Sequence, residues 1–466
     1  MAWEKRIARY LALFIVPFFL LSLSGCSSNN VTDPSVIKAT AKEAYIFAYS
    51  MLENYKTMQA QAILPGKFNS FTHSTHLQGP EYRDIVRPNN DTLYSVLWMD
   101  LRAEPLVVQI PSVSDRYYSF QMVDMYTYNF AYAGTRTTGT GARTFLVAGP
   151  HWKGTPPETV DDLFVSEGNF VLCLGRTAVN PDIPGDLEEV LDIQQQYRVQ
   201  PLSAYLGQAA PTPSPMDIFP LYEKAKAESV EFIGLFNFLL GQLVIDPSES
   251  GMINRFGLIG IGPNYPFDAS RLDDSTKNAI EEGVAEALQE ITHSGALLGE
   301  EKNAWTLTKR IFGNREQMQG EYLVRAGAAA MGIYGNDLEE AYYPSTQKDM
   351  EGLPLDASNG KSYLLAFSRE DLPRVQEGGF WSITMYNLPE QLMVENSINR
   401  YSLGDRTNLT YQADGSLEII IQATSPDQGN WLPAPEGPFS LTMRMYLPEE
   451  EALDPLYAPP ALRNND

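Results

Sequence analysis

Arg87-Pro88-Asn89-Asn90-Asp91-Thr92-Leu93-Tyr94 is the densest run of polar chemistry in the chain. A guanidinium, two amides and a carboxylate this close can grip a polar ligand through amide and charge-assisted hydrogen bonds. Asn and Asp after Pro are also natural turn formers, with Asp91 able to bond its own backbone. Both readings stay open. Arg136, Tyr117 and Asp124 join the same pocket if their strands are neighbours. Asp91 and Asp124 would then offer two carboxyl groups for general acid and base work. The candidates for catalysis are therefore Asp91, Asp124 and Tyr117, and those for ligand binding begin with Arg87, Asn89 and Arg136.

A second group lies near the C-terminus. Asn399 and Arg400 lead to Asp405, and Asn430-Trp431 precedes a Pro-rich turn and the last strand. Trp431 reads either as a stacking platform for a sugar ring or as a plug at the end of a β-sandwich. Arg444 lies across its strand from the core face, where it is expected to ion-pair with Asp405 or to hold a ligand.

Other chemistry is thin. His73 and His76 stand three apart among four histidines, but no third ligand accompanies them, so no metal site is expected. No nucleophile elbow, phosphate-cradling loop or dinucleotide fingerprint is present, and no cofactor is expected. Gly139-Thr140-Gly141 reads as a hairpin turn. Cys173 sits in an apolar run, where burial suppresses the thiolate, and reads as a small core residue.

The elements that must position these groups follow from periodicity. Asp33-Pro34 opens a helix expected to run to about Gln59. From Leu93 to Thr177 the period becomes two, with strands expected at Leu106–Ile110, Ser119–Asp124, Tyr126–Tyr132, Phe145–Ala148 and Phe170–Leu174. Tyr126, Tyr128, Phe130 and Tyr132 alternate as one aromatic face. After the Pro-rich break at Pro211–Pro215, helices are expected over about Asp217–Leu240, Ser275–Leu298 and Arg315–Met331. Strands return at Tyr363–Phe367, Phe380–Tyr386, Leu417–Gln422 and Phe439–Tyr446. Tyr118-Ser119-Phe120-Gln121-Met122-Val123-Asp124 echoes Trp381-Ser382-Ile383-Thr384-Met385-Tyr386-Asn387, so either two related sandwiches or chance produced the likeness.

The first residues carry a different signal. Lys5, Arg6 and Arg9 precede the apolar run Leu11–Leu23, which ends in Leu23-Ser24-Gly25-Cys26. The run is short for a bilayer span and suits a signal peptide. Small residues before Cys26 make it the expected lipid attachment point, with a plain signal peptide or an uncleaved anchor as alternatives. Several acyl chains there would anchor the protein to a membrane. With Ser27 next rather than Asp, the expected place is the outer membrane, facing the periplasm. Removing residues 1–25 takes away three positive charges and one negative, so the formal charge moves from -24 to -26. So negative a surface repels nucleic acid, which is excluded as a partner.

The Arg87–Tyr94 run, followed by Asp115-Arg116-Tyr117-Tyr118-Ser119-Phe120-Gln121, resembles domain-of-unknown-function family 1254. Asn399-Arg400-Tyr401-Ser402-Leu403-Gly404-Asp405-Arg406 with Asn430-Trp431-Leu432-Pro433-Ala434-Pro435 resembles its C-terminal companion, family 1214. The resemblance spans roughly Thr40 to Pro448 and implies two β-sandwich, jelly-roll-like domains with helical insertions. It brings no catalytic residues with it. The expected fold is thus mixed and mainly β, with helical N-terminal and central segments. The expected divisions are a leader at 1–25, a tether at 26–33, an N-terminal helix and sandwich at 34–210, a mainly helical segment at 211–345 and a second sandwich at 346–466. The expected function is binding or processing of a glycan or other polar ligand. A small-molecule hydrolase or lyase and a structural or assembly lipoprotein are the rival classes.

Overall fold

A computed structural model describes residues 33–83 and 86–465, so the leader, Cys26 and nearly all of the tether lie outside the described residues. Pro34–Asp466 forms one compact unit. Among the described residues no helix is long and apolar enough to cross a membrane.

The first half carries strands β1 (Thr72–His73), β2 (Thr92–Asp100), β3 (Leu106–Ile110), β4 (Tyr118–Val123), β5 (Asn129–Gly134), β6 (Arg143–Ala148), β7 (Asp162–Val165), β8 (Phe170–Ala178) and β9 (Arg198–Pro201). They build one sheet in the order β1-β2-β8-β4-β5 and another in the order β7-β6-β3-β9. Alternating residues such as Leu97, Met99, Val108, Phe120, Phe145 and Cys173 meet between the two sheets as a dry core. Cys173 is fully buried, and burial pushes its thiol well up, away from nucleophilic use.

The second half repeats this plan with β10 (Gly299–Lys302), β11 (Trp305–Thr308), β12 (Ala341–Tyr342), β13 (Ser345–Thr346), β14 (Tyr363–Phe367), β15 (Val375–Asn387), β16 (Ser402–Gly404), β17 (Leu417–Gln422), β18 (Asn430–Pro433), β19 (Phe439–Pro448) and β20 (Arg463–Asn464). Its large sheet runs β10-β11-β13-β19-β15-β16, with β12 also on β19, and its small sheet runs β18-β17-β14-β20. Leu365, Trp381, Ile383, Ile419, Leu441 and Met443 fill the space between them. Four of these strands begin before residue 346, inside the stretch expected to be mainly helical. Glu300, Glu301 and Lys302 give β10 no apolar alternation, so the pattern hid it.

Apart from β10, and with β12 and β13 together in the place of β2, the halves match. In both, the chain leaves the large sheet for the small one (β3, β14), returns for two strands (β4 and β5, β15 and β16), and goes back (β6, β17). Each of those last strands takes a parallel neighbour, β7 on β6 and β18 on β17. The chain then threads the middle of the large sheet (β8, β19) and ends on the small one (β9, β20). The echo between Tyr118–Asp124 and Trp381–Asn387 therefore falls on equivalent strands, β4 and β15. Across them, Ser119 pairs with Gly134 and Ser382 with Gly404. A Cβ on Gly134 would sit 2.4 Å from Tyr118 O, and one on Gly404 2.0 Å from Trp381 O. Only glycine fits either place.

Six helices matter to the packing: α1 (Pro34–Met58), α2 (Asp186–Gln194), α3 (Phe232–Leu240), α4 (Pro247–Phe256), α5 (Asp274–Thr292) and α6 (Tyr322–Gly332). Tyr45, Phe47, Phe236, Ile280 and Val284 join Trp98, Leu172 and Leu174 of the first large sheet, so helices cover one part of its outer face. At Gly283 a Cβ would meet Lys38 O at 2.5 Å, which is how closely α5 approaches α1.

Several expected bounds move for local reasons. Pro220 interrupts the helix expected from about Asp217, leaving α3 to start at Phe232. Gly320, at φ 85°, splits Arg315–Met318 from α6. Thr127, at φ 72°, delays β5 to Asn129 and sends Tyr126 and Tyr128 into the helical core. A register shift beside Met122 then puts Phe130 and Tyr132 on different faces, so the aromatic row is not one face.

Candidate functional site

Where helices do not cover them, the two large sheets face each other. Tyr117 and Ala178 from one meet Phe380 and Tyr446 from the other in a small buried cluster. The Tyr117 ring lies 5.9 Å from Phe380 and 5.0 Å from Tyr446. This seam brings equivalent residues together from opposite sides.

One row on each sheet organises it. Tyr94 lies opposite Arg176 on β8, Arg176 opposite Ser119 on β4, and Ser119 opposite Gly134 on β5. In the second sheet Tyr342 faces Met445 and Ser345 faces Thr442, which places Tyr343 opposite Arg444. Arg444 lies opposite Ser382 and Ser382 opposite Gly404. Tyr, Arg, Ser and Gly thus recur in the same order. Both arginines are 5 % exposed. Arg176 donates to Gln121 Oε1 at 2.7 Å, to Asn336 Oδ1 at 3.0 Å and to Tyr334 O at 2.9 Å. Arg444 donates to Thr384 Oγ1 at 2.8 Å, to Arg87 O at 3.0 Å and to the Tyr386 hydroxyl at 2.7 Å. Each arginine clamps a loop that precedes the other sheet's strands or its own, and neither bonds a carboxylate among the described residues.

Carboxylates cross the seam instead. Glu340, just before β12, pairs with Arg136, two residues beyond Gly134, at 2.6 Å. Asp91, just before β2, pairs with Arg406, two residues beyond Gly404, at 3.3 Å. The same bridge is made twice, with the halves exchanged. Both carboxylates are almost wholly buried, Glu340 at 1 % and Asp91 at 2 % exposure, so each depends on its partners.

The two ends of the seam differ in two side chains. At the Glu340 end, the Tyr117 hydroxyl donates to Glu340 Oε1 at 2.7 Å and lies 2.9 Å from Ser119 Oγ. Tyr132 donates to Asp337 Oδ1 at 3.3 Å, and the Arg136 guanidinium lies over its ring at 5.1 Å. Burial pushes the Asp337 carboxyl up to about 6 and raises both phenols, which therefore keep their protons and pack this end. At the Asp91 end, Phe380 stands where Tyr117 would be and Ser402 where Tyr132 would be. Ser382 Oγ therefore reaches Asp91 Oδ2 directly at 2.7 Å, and Arg406 lies on the Phe380 ring at 3.6 Å. A shallow recess open to solvent is left there, lined by Asn90, Asp91, Ser382, Ser402 and Arg406 among others. The two motif regions, Arg87–Tyr94 and Asn399–Arg406, thus contribute to one hollow.

The expected site residues divide sharply. Asp91 lines the recess. Asp405 sits beside it, accepting from Trp381 N at 3.0 Å, with its carboxyl pushed up to about 6 by burial. Arg87 donates to Gln391 Oε1 at 2.6 Å, and Asn89 to the Tyr446 hydroxyl at 2.9 Å, so both brace the seam. Arg136 and Tyr117 meet at Glu340, the closed end. Asp124 is elsewhere: Val179 N donates to Asp91 O, whereas Val123 pairs with Leu172. The seven residue steps from Leu172 to Val179 along and just past β8 span about 23 Å, too far for a working acid–base pair. Burial pushes the Asp124 carboxyl up to about 7, and it accepts from Tyr128 N.

In the C-terminal group, Asn430 bonds Thr410 O and Glu418 O, each at 2.8 Å, and Arg400 bonds Trp431 O at 3.1 Å. Trp431 is 6 % exposed with its indole N–H on Gln422 O, so it plugs the sandwich and offers no stacking face. Asn399, in a left-handed turn at φ 50°, lies away from the recess. Arg444 bonds neutral acceptors rather than Asp405, because Arg406 is the cation on the carboxylate side of the strand pair. Glu340, Arg176, Ser382 and Arg406 escaped the sequence reading. Gly134-Thr135-Arg136-Thr137 against Gly404-Asp405-Arg406-Thr407 was the signal for Arg406, and the echo of Ser119 in Ser382 the signal for Ser382; Glu340 and Arg176 carried none.

Family models match residues 68–201 as Protein of unknown function (DUF1254) and residues 340–450 as Protein of unknown function (DUF1214). The solved VPA0106 protein from Vibrio parahaemolyticus is 26% identical with a TM-score of 0.76, covering 93% of this chain and 100% of that one. An uncharacterized protein from Burkholderia cenocepacia matches at 14% identity and a TM-score of 0.44, covering 92% of this chain and 94% of that one. No curated protein matches.

Proposed function

Since the chain pairs a DUF1254 domain with a DUF1214 domain, both of unknown function, we propose its role from the seam: it is an envelope lipoprotein that binds a small hydroxyl-bearing ligand, such as a sugar unit of a glycan. The observation that carries the reading is the difference between the ends of the seam. Two phenols pack the Glu340 end, and their replacement by Phe380 and Ser402 leaves a polar hollow at the Asp91 end. Around it stand the carboxyl group of Asp91, the hydroxyls of Ser382 and Ser402 and the amide of Asn90. These groups exchange hydrogen bonds with hydroxyls far more readily than with apolar groups. Binding is favoured over hydrolysis, because Asp91 is already held by Ser382 and Arg406 and Asp124 is remote.

Equilibrium dialysis with a panel of sugars and other polyols tests this. Wild type is expected to retain a member of the panel, and Asn90→Ala to retain it about tenfold less, the weight of one or two lost hydrogen bonds. Wild type that retains none overturns the reading. The anchor is tested separately: palmitate label on the full chain is expected to vanish in Cys26→Ala, and label that persists excludes attachment there.

A second reading has its own support. Arg87, Asn89, Asn430 and Arg444 all hydrogen-bond inside the protein, as a structural lipoprotein requires. An empty panel together with envelope partners recovered by crosslinking would favour that class.

A further inference from the structure

Away from the seam, a stretch at the helical side carries no charge. From Phe256 to Phe267, Phe-Gly-Leu-Ile-Gly-Ile-Gly-Pro-Asn-Tyr-Pro-Phe, there is no Asp, Glu, Lys, Arg or His, in a chain whose charged residues make up 20%. Phe256, Ile259 and Ile261 are buried beneath it, while Leu258 and Tyr265 stand 47% and 56% exposed. Pro263 and Pro266, which flank Tyr265, are exposed as well. The nearest charges at either end are spent in ion pairs, Arg255 with Glu43 at 2.7 Å and Arg271 with Asp268 at 3.4 Å. The stretch belongs to the N-terminal part of α1. Its first turn, Gly257–Ile259, packs on that helix, and Glu43, the partner of Arg255, shares a helix face with Val36, seven residues earlier. Val36 is 47% exposed.

The chain outside the structure ends at the same place. Pro34 opens α1 two residues before Val36, and only Ser27 to Asp33 separate it from Cys26. Fully extended, that link reaches about 28 Å. The other end of α1 lies about 36 Å from Pro34, and exposed Leu64 follows beyond it. We propose that Leu258, Tyr265 and Val36 form the face on which the protein rests against a phospholipid bilayer, the one that holds the acyl chains of Cys26. This rests on the lipoprotein reading and names the surface that meets the membrane. Elsewhere a strongly acidic exterior is repelled by anionic headgroups, whereas an uncharged face approaches them without that cost. Leucine and valine side chains enter the boundary between headgroups and acyl chains, and a tyrosine sits there with its ring in the apolar layer and its hydroxyl in water.

The full acylated chain, reconstituted into phosphatidylcholine vesicles, tests the proposal. An environment-sensitive dye is placed at Leu258→Cys, at Tyr265→Cys or at Leu64→Cys, since Cys173 is buried and Cys26 is taken by lipid. Flotation with the vesicles is read first, then quenching by phosphatidylcholine brominated on its acyl chains. Dye at 258 and at 265 is expected to lose emission to the brominated lipid, and dye at 64 to keep it. Tyr265→Cys carries the test if Leu258→Cys does not fold. Chain that floats with its emission intact at 258 and 265, or quenched equally at 64, overturns this face and leaves the lipid anchor standing. Chain that does not float with the vesicles removes both.

Discussion

The exchanged ion pairs make the most quantitative claim about the seam. Asp91 is 2 % exposed and bonded by Ser382 at 2.7 Å and Arg406 at 3.3 Å. Glu340 is 1 % exposed and bonded by Tyr117 at 2.7 Å and Arg136 at 2.6 Å. Both arginines keep about a quarter of their side chains accessible, at 23% and 24%, so solvent screens the attraction in part. Two unit charges at these separations attract by about 5–6 kcal/mol at an effective dielectric near 20, before desolvation is subtracted. A net coupling of about 2 kcal/mol is therefore expected between Asp91 and Arg406, and about 3 kcal/mol for the shorter Glu340–Arg136 pair. Double-mutant cycles read these values from denaturant unfolding of Asp91→Ala with Arg406→Ala and of Glu340→Ala with Arg136→Ala. Asp405 adds a refinement. The charge of Asp91 is one of the causes that raise its carboxyl. Losing Asp91 frees Asp405 to ionise beside Arg406, so Asp91→Ala should cost less than Arg406→Ala, which leaves two carboxyl groups without a cation. Couplings below about 0.5 kcal/mol at both ends would refute the reasoning, because the bridges would then hold nothing together.

Gly404→Ala forces a Cβ to within 2.0 Å of Trp381 O, and Gly134→Ala to within 2.4 Å of Tyr118 O, so each should cost about 3 kcal/mol or more in unfolding experiments; Gly141→Ala, with nothing within 4 Å, serves as the neutral control. Asp124 is 1 % exposed with its carboxyl at about 7 against an ordinary 3.8, so the folded state holds its proton longer than the unfolded chain does. Its contribution is full below about 4 and is lost as pH rises through 7, about 4 kcal/mol in all; Asp124→Asn should lack that loss, and unfolding curves at pH 4.5 and 8 that differ equally in parent and variant would contradict it. Trp431→Ala should destabilise by about 3–5 kcal/mol through its cavity and lost indole bond, with ligand affinity unchanged in dialysis at temperatures where the variant stays folded.

Alternation made the sandwiches legible because their strands bury one or both faces. Phe439, Leu441, Met443 and Met445 point into the core as the pattern demands. The same pattern hid β10 and the two-residue β12 and β13, whose pairing depends on neighbours rather than on their own hydrophobicity. The duplication was visible only as a short echo, because equivalence resides in register. Arg176 and Arg444 stand in different sequence surroundings, Leu-Gly-Arg-Thr and Thr-Met-Arg-Met, and only pairing with Ser119 and Ser382 shows them to be counterparts. The site was half legible. Asp91 and its neighbours drew attention by composition, and they do face a hollow. Glu340 drew none, since an acidic residue in Leu-Glu-Glu-Ala reads as helix surface. Trp431 misled for the opposite reason: an aromatic beside prolines looks exposed until it is placed on β18, paired with β17 and bonded to Gln422 O.

Trp381 gives a near view of the recess: the residue borders it beside Ser382 and Arg406, while its indole packs into the sandwich core behind Ser382. Its emission should shift as a hydroxyl-bearing ligand fills the hollow, saturating with concentration, and the shift should disappear in Trp381→Phe and in Ser402→Tyr. Emission that is unmoved by every sugar and polyol tried, or that moves equally in Ser402→Tyr, would contradict the claim that this end of the seam is built to be filled.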